Sequence, residues 1–578
     1  MVVHFYRKLR TQSEFLGLTT AGLATLACGK PERLEQTLET ASMEEKQAVE
    51  FITAHVQAIK PLAIKKNLAS WVAANSGKPE DYDKLSALQL KIRQVYSNPE
   101  DFVLVKSLKE SGKVKDAIQA RQIDRLYNAY LENQIEPELL KKIVDLSTEI
   151  EKNFSTYRAA IGGERVTDNE IREILRAETN SAKRKQTWLV SKQVGQVVYA
   201  DLIRLVKLRN QAARKVGFDN YHTLSLTTSE INVEELDRIF DQLDKLTSES
   251  FSALKSELDG HLADMYGVKV EELAPWHYHD PFFQEAPLIY GLDLDSYYQN
   301  KDVKELSVRF YASIGLDVES IIARSDLYER EGKNPHAFCT DIDRQGDVRI
   351  LCNIKNNHYW MGTMLHELGH GVYDKFKDPQ VPYLLRTPAH IFTTEAIAML
   401  FGRLAYNTAW IQQMLELSDE QRMEIEKVSS KYAKLGQLVF ARWVLVMYNF
   451  KKQLYANPDQ DLNSIWWKMV ERYQFVKKPK DRDAPDWAAK IHFTVAPCYY
   501  HNYMLGELLA SQLHHHVVHN ILRLESDRDV CYVGQREVGD FLREKVFESG
   551  AVYHWNDMIE RAAGEPLTPK YFADEFVN

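Results

Sequence analysis

The sequence is poor in cysteine, glycine and proline, and it contains no concentrated run of basic residues. Five cysteines among 578 residues are too few for a scaffold held together by disulfides. Charge is mixed, with 73 basic and 82 acidic residues and a formal net charge of −9. Because no basic tract stands out, nucleic acid is not an expected partner. The sequence also has no repeat of fixed period and no low-complexity block, which argues against a repeat array.

Apolar residues instead recur at helical spacing along most of the chain. Aromatic residues make up 11% of the sequence, whereas Gly (25) and Pro (18) are scarce. This composition and periodicity predict a mainly α fold with a large core. The clearest helical segments are Leu139, Leu140, Ile143, Leu146, Ile150 and Phe154; Leu236, Ile239, Phe240, Leu243 and Leu246; and residues 191–216, which close at Gly217.

The N-terminus resembles a bacterial secretion signal. Basic residues precede the largely apolar run 15–27, and Leu26-Ala27-Cys28 is similar to a lipobox. The run is too short for a transmembrane helix. These features predict a periplasmic protein attached to the membrane through lipidated Cys28; an ordinary amphipathic N-terminal helix is the alternative. The predicted division of the chain is a signal segment at 1–28, a tether at 29–40 and a helical domain at 41–578.

An HExxH motif, formed by His366, Glu367 and His370, lies in an apolar segment. On a helix, residues four apart share one face, so both imidazoles point toward one metal ion. Glu367 lies at the edge of that face, where it can deprotonate a metal-bound water. A catalytic zinc ion needs a third protein ligand, and Glu395 in the apolar segment that follows is our candidate. A buried carboxylate there would be costly without a cation.

The clearest strand signal spans residues 336–354, with a tight turn expected at Arg344-Gln345-Gly346-Asp347. Pairing about that turn places Cys339 directly opposite Cys352. The two cysteines therefore either form a cross-strand disulfide or remain buried thiols. A strand edge beside the metal motif would also allow an extended peptide to pair with it.

Further candidate groups lie toward the C-terminus. Lys490, His492 and the tyrosines of residues 499–503 are types that hold a peptide carboxylate and stabilise an oxyanion. The histidines at 514–516 and His519 have no matching acidic or cysteine partner in the sequence. We interpret them as part of a solvated or core helix rather than as a second metal site. The aromatic stretch 276–283 is expected either to line a pocket or to pack its rings on the core.

These motifs together resemble the angiotensin-converting-enzyme-like zinc peptidases, a gluzincin group of largely helical enzymes. The resemblance extends from about residue 60 onward, and the thimet-oligopeptidase-like group is a competing assignment. It implies two helical halves that enclose a deep channel, a small hairpin beside the zinc helix and short peptides as substrates. The similar segments are Leu208 to Arg214, Pro335-His336-Ala337 with Asp341 and Arg349-Ile350, Leu385-Arg386 with Glu395-Ala396-Ile397, Trp466-Trp467 with Tyr473-Gln474, and Ala489 to His492.

The resemblance implies specific roles for the catalytic residues. One zinc ion per chain would be bound by His366, His370 and Glu395. Glu367 would be the general base and then the proton donor. His492 and Tyr503 would stabilise the oxyanion.

The resemblance also implies roles in substrate binding. Lys490 would bind the C-terminal carboxylate, and Tyr500 would contact that end of the substrate. The tyrosine spacing departs from the family by one residue, so Tyr499 is the alternative. Ala337 would offer backbone hydrogen bonds to the substrate, with His336 beside it.

Departures from the family pattern limit these expectations. The family's carboxylate-binding Gln is replaced near residues 276–278, which leaves release of C-terminal dipeptides open. Ser191, Val470 and Asn502 lie at or near the positions of the family's chloride-binding arginines. Because those arginines are absent, we expect no chloride requirement. The family's Asp that supports the first zinc His is Met399. Pro335 stands where the family has a cysteine that forms a disulfide. A disulfide between Cys339 and Cys352 would be a displaced substitute for it.

Two alternatives to a dipeptide-releasing zinc peptidase remain at this point. A related zinc oligopeptidase or endopeptidase would cut elsewhere in the peptide. A catalytically silent peptide-binding homologue would keep the fold, although the intact Glu367 argues against it. The sequence does not specify the natural peptide or the oligomeric state.

Overall fold

A computed structural model describes residues 42–287, 289–291 and 293–577. The predicted signal segment, the tether and Cys28 lie outside these residues. Within the described ranges, no helix combines the length and apolar character needed to cross a membrane. Helices dominate the structure, and the predicted mainly α fold is confirmed.

The N-terminal part is a succession of helices with one short hairpin. Its elements are α1 (Met43–Ser76), α2 (Pro79–Tyr96), α3 (Pro99–Ser111), α4 (Ala117–Glu132), α5 (Pro137–Thr156), β1 (Ala159–Ile161), β2 (Glu164–Val166), α6 (Asp168–Ala177), α7 (Ser181–Ser191), α8 (Gln193–Lys215), α9 (Tyr221–Thr228) and α10 (Val233–Tyr266). The helices predicted from periodicity correspond to α5, α8 and α10. The β1–β2 hairpin was not predicted, because strands of three residues carry almost no periodic signal.

The C-terminal part contains the metal-binding motif and a second hairpin. Its elements are α11 (Val303–Ser313), α12 (Glu319–Ile322), β3 (Phe338–Asp341), β4 (Val348–Leu351), α13 (His358–Lys375), α14 (Ile391–Gly402), α15 (Thr408–Leu415), α16 (Asp419–Ala456), α17 (Leu462–Gln474), α18 (His492–Val495), α19 (His501–His516), α20 (Arg536–Leu542), α21 (Trp555–Ala563) and α22 (Lys570–Phe576). Short π-helical segments follow α19 at Val517–Ile521 and α20 at Arg543–Phe547.

The buried residues form separate apolar cores. The larger core runs from α5 to the C-terminus and surrounds α13, α14, α16 and α19. A smaller core joins α1 to α4 with Tyr383 and Leu384. A cavity of about 300 Å³ lies where α4 and α9 face α13 and α14. Its position between the N-terminal helices and the larger core agrees with the expected channel between two helical halves.

The β3–β4 hairpin exists, but its predicted register is wrong. Cys339 pairs with Ile350, and Ile342 N–H donates to Asp347 O at 2.9 Å, so the loop is 343–346. The turn therefore starts one residue earlier than predicted. The same register continued outward places Cys352 opposite Ala337 and diagonal to Cys339. Such diagonal positions are about 7–8 Å apart, beyond the reach of a disulfide, and both residues are buried thiols.

Candidate active site

Helix α13 is positioned for metal binding by its burial and by its close approach to α14. The side chain of Asn357 caps its start by accepting from Trp360 N–H at 2.9 Å. Residues 360–373 are all buried, because α13 runs through the larger core. A Cβ added at Gly369 would lie only 2.7 Å from Ala398 Cα on α14. The glycine inside the HExxH motif therefore lets the two ligand-bearing helices pack closely.

Glu395 on α14 faces both histidines of α13. Its Oε2 lies 3.9 Å from His366 Nε2 and 3.8 Å from His370 Nε2. The two imidazole rings are 5.0 Å apart and nearly perpendicular. Gly506 on α19 allows that helix to pack against the same carboxylate, since an added Cβ would lie 3.1 Å from Glu395 Cβ. Three helices thus bring two imidazole nitrogens and a carboxylate oxygen together in a buried site.

This donor set fits zinc. Two imidazoles and one carboxylate leave a fourth position for water or substrate, as catalytic zinc sites do. Burial lowers the pKa of His366 to about 4, so its ring is in the neutral form that binds metals. Glu395 is 1% exposed in its side chain. A buried carboxylate facing two imidazoles is the arrangement that a divalent cation stabilises.

Surrounding side chains orient two of the three candidate ligands. His370 Nδ1 lies 2.8 Å from Thr394 Oγ1, while Nε2 faces Glu395 and the metal position. A metal bound at Nε2 would leave the hydrogen on Nδ1, which would then donate to the Thr394 hydroxyl. Tyr499 hydroxyl donates to Glu395 Oε1 at 3.1 Å. Among the residues that the structure describes, none accepts a hydrogen bond from buried His366 Nδ1. The expectation that Met399 leaves His366 without the family's supporting carboxylate agrees with this geometry.

Glu367 lies on the same helix between the two histidines and is 3% exposed. Burial raises the pKa of the Cys352 thiol well above its usual range, and the negative charge of Glu367 raises it further. Cys352 therefore stays protonated beside the candidate base.

Lys490 is buried beside an amide that sequence reasoning missed. Its Nζ donates to Gln284 Oε1 and lies 5.2 Å from the Trp443 ring and 5.8 Å from the Tyr500 ring. Gln284 therefore places an amide beside Lys490, outside residues 276–278 where the sequence led us to look for one. Burial lowers the pKa of Lys490 to about 7.

The stretch 276–283 packs its aromatic rings on the core and also shapes the surroundings of Lys490. The Phe282 ring lies 5.4 Å from the Trp443 ring, and the Trp276 ring packs edge-on against Trp188 at 6.1 Å. Gln474 Nε2 donates to Phe283 O at 2.7 Å and fixes the loop that carries Gln284. Because this loop has no periodic pattern, the position of its amide could not be found from the sequence.

The other predicted residues form a connected group next to the metal ligands. The His492 ring lies 5.0 Å from Tyr500, and the Tyr503 ring lies 5.0 Å from Tyr499 and 5.6 Å from Tyr500. Burial, helped by the positive charge of Lys490, lowers the pKa of His492 well below its usual range. His492 is therefore neutral and retains an N–H donor.

The predicted substrate strand lies beside the cavity. Ala337 directly precedes β3, and His336 N–H donates to Asn334 Oδ1 at 3.0 Å. Cys339 on β3 reaches the cavity wall. The cavity is lined by residues that include Arg125, Glu132, Tyr221, His370, Glu395 and Tyr499.

Family models match both parts of the chain. The model for Peptidase family M3 matches residues 174–578, which include α13, α14 and the tyrosines of residues 499–503. The model for Angiotensin-converting enzyme matches residues 42–277. Among curated proteins, none matches the chain.

Proposed function

The chain belongs to peptidase family M3, and on that premise we propose that it cleaves short peptides with a water activated by Glu367. It is a gluzincin zinc metallopeptidase related to angiotensin-converting enzyme. The observation that carries the mechanism is the buried His366, His370 and Glu395 set, which opens on a cavity of about 300 Å³. That volume suits a few residues of extended peptide rather than a folded protein.

Each residue of the site has a task in this proposal. When bound, zinc supplies the Lewis acid that polarises the scissile carbonyl and makes the attacking water more acidic. Glu367 takes the proton from that water and delivers it to the leaving amine. Neutral His492 and the Tyr503 hydroxyl donate hydrogen bonds to the developing oxyanion. Tyr499 donates to Glu395 and lines the cavity, whereas Tyr500 lies beside Lys490 and is our candidate for contact with the substrate end.

Glu367→Gln tests this assignment. The amide keeps the shape of the side chain but cannot take a proton, so kcat on a short peptide with a blocked N-terminus should fall by about 10²–10⁴-fold. Zinc content, measured in parallel, should stay equal to that of the wild type. Equal kcat in both proteins would remove Glu367 from the mechanism. If wild type binds zinc but cleaves nothing in a broad peptide set, a silent peptide-binding protein becomes the better account.

For the products, we propose release of C-terminal dipeptides, with Lys490 and Gln284 as the carboxylate anchor. The buried ammonium and amide, next to Tyr500 and His492, support this assignment. Mass analysis of products from one peptide with a free or an amidated C-terminus tests it. Dipeptide release that requires the free carboxylate agrees with the proposal. Internal cleavage that ignores the terminus would contradict the proposal and assign an oligopeptidase activity instead.

We also propose export and lipid attachment at Cys28, with one helical peptidase domain from residue 41. The support is the sequence of residues 1–28 alone. Expression of the full sequence in a bacterium should give a mature chain that begins at acylated Cys28, as measured by intact mass. A cytoplasmic chain that retains Met1 would contradict it.

A further inference from the structure

The end of α19 carries a second histidine cluster, remote in sequence from the zinc motif. His515 and His519 are four residues apart and lie across the junction between α19 and the π-helical segment Val517–Ile521. Their rings are 4.3 Å apart. The following loop returns Asp527 to the same place, which provides the acidic partner that was not evident in the sequence.

The distances within this cluster are close to those in a metal coordination sphere. Asp527 Oδ2 lies 3.1 Å from His515 Nδ1, and Asp527 Oδ1 lies 3.0 Å from His519 Nε2. One ligand atom from each residue lies within 4.8 Å of the others. Ligand atoms bound tetrahedrally at zinc distances are about 3.3 Å apart. A small adjustment of these side chains would therefore accommodate an ion.

Neighbouring groups orient the cluster toward a cation. His519 Nδ1 lies 2.8 Å from Leu524 O, a carbonyl that can only accept, so Nδ1 carries the hydrogen. Nε2 is then the nitrogen that faces Asp527. Among the described residues, none donates a well-aligned hydrogen bond to buried Asp527 Oδ1. The lone pair on His519 Nε2 then points at Asp527 Oδ1. A cation between these two atoms would be coordinated by both of them.

The surroundings suit a bound ion that joins the loop to the helix. The Tyr571 ring stacks on His515 at 4.4 Å and fixes the orientation of that imidazole. On its other side the loop is already anchored, because Asp529 pairs with Arg422 at 2.7 Å. The side chains of His515 and His519 are 32% and 28% exposed. Solvent can therefore deliver an ion and complete its coordination.

We propose that His515, His519 and Asp527 form a second zinc-binding site, separate from the catalytic centre. Two imidazoles and one carboxylate are the same donor set as the first centre, and imidazole suits zinc among the divalent metals. The ion would tie the loop 522–531 to the end of α19. It binds only the folded protein, so it stabilises that state. It plays no part in peptide cleavage.

The test is the binding of zinc to the full-length protein whose catalytic site is already loaded. Zinc ion alone is titrated calorimetrically into wild type, His519→Ala, Asp527→Asn and His516→Ala. His516 is the matched control, because its ring packs on Phe541 and not on Asp527. Wild type and His516→Ala should bind one further zinc ion and gain thermal stability. His519→Ala and Asp527→Asn should bind it at least about tenfold more weakly, with no change in kcat.

A different pattern would overturn the proposal. If wild type binds no further zinc, the cluster is only a set of polar contacts between the two imidazoles and Asp527, and the proposal is wrong. If all four proteins bind it equally, the ion lies elsewhere on the surface. Because partly exposed Asp527 is replaced by a residue of the same shape, its variant should fold normally, and the circular dichroism spectrum checks this. The outcome does not depend on the proposed peptidase activity.

Discussion

At the scale of single residues, a neighbouring side chain orients two of the three candidate zinc ligands, His370 and Glu395. Thr394→Val removes the hydroxyl that lies 2.8 Å from His370 Nδ1. Loss of such a supporting group should weaken zinc binding by about tenfold or more. Competition with a coloured chelator measures the affinity. Thr394→Ser keeps the hydroxyl and should bind zinc as wild type does; equal affinity in the Val variant would contradict this role.

Titration of Lys490 should make KM depend on pH for substrates that end in a free carboxylate. Burial lowers its pKa to about 7, so the ammonium becomes neutral as pH rises through that value. The charged form attracts a carboxylate and the neutral form does not, so KM should rise above about pH 7. The measurement is KM from pH 6 to 9 (roughly the span over which such a group titrates) for a free and an amidated peptide.

The amidated peptide is the control for this prediction, because its KM should not follow the Lys490 titration. Lys490→Met should also remove the difference between the two peptides. The same rise in KM for both peptides would place the titrating group elsewhere in the site.

The sequence was sufficient to select the three candidate metal ligands that the structure brings together, but not the residues that orient them. His366 and His370 follow from helical spacing, and Glu395 follows from a carboxylate in an apolar segment. Gln284 and Asp527 reach their sites from irregular loops, whose course depends on tertiary contacts. Thr394 adjoins Glu395 in sequence, yet only the packing of α14 on α13 reveals its hydrogen bond.

At the scale of the elements, the crossing of α13 and α14 fixes the distance between the ligands. Gly369→Ala would place a Cβ 2.7 Å from Ala398 Cα, which is backbone and cannot turn aside. The helices must separate, at a cost of about 2 kcal/mol in the free energy of unfolding. Zinc affinity should fall as well, because Glu395 moves away from the histidines. Urea unfolding and zinc titration measure both effects.

Gly371→Ala on the same helix is the matched control for Gly369→Ala. Its added Cβ would meet the end of the Ile321 side chain at 3.1 Å, and that side chain can change rotamer. The loss of stability should therefore be smaller and zinc affinity unchanged. Equal effects of the two substitutions would contradict the close-crossing account.

The β3–β4 hairpin shows how far an element can be predicted from its turn residues. Alternation and Gly346 indicated the hairpin correctly, but they did not fix which residues form the loop. Arg344 adopts a positive φ of 58° in addition to Gly346 at 105°. A non-glycine residue rarely takes that conformation, so the sequence contained no sign that Arg344 would do so. The predicted turn was therefore displaced by one residue from the observed loop 343–346. That displacement produced the incorrect pairing of Cys339 with Cys352.

At the scale of the whole molecule, an ion-pair cluster joins α4 to the segment between α9 and α10 beside the cavity. Glu230 pairs with Arg125 at 2.9 Å and also with Arg121, which donates to Ala551 O. Burial alone would raise the pKa of Glu230, but the two guanidinium groups outweigh it and hold this pKa far below its usual range.

Glu230→Gln should therefore destabilise the protein by about 3 kcal/mol at neutral pH, because it leaves two largely shielded arginines, 11% and 19% exposed in their side chains, without their carboxylate. A depressed pKa contributes stability above the unfolded value of about 4, and this stability is lost as pH falls further. The difference in unfolding free energy between wild type and variant should shrink below about pH 4. A difference that is independent of pH would contradict the ion-pair explanation.

The fold class and the peptidase group could be predicted from the sequence. The way in which the helices pack against one another could not. Helical periodicity indicated a mainly α protein, and the motifs indicated a gluzincin. The assignment by motif placed the angiotensin-converting-enzyme-like group first, whereas the M3 model matches the part that carries the metal site. Periodicity also could not show that α1 to α4 form their own core, because it reports which face is buried and not against which partner.

The central claim is that a zinc ion held by His366, His370 and Glu395 is required for peptide hydrolysis. The most direct test is to remove metal with a chelator, measure zinc content and peptide cleavage, and then restore zinc. We predict that activity disappears with the catalytic zinc, returns when zinc is added to wild type, and does not return in Glu395→Gln. Full peptide cleavage by protein without bound zinc would contradict the claim.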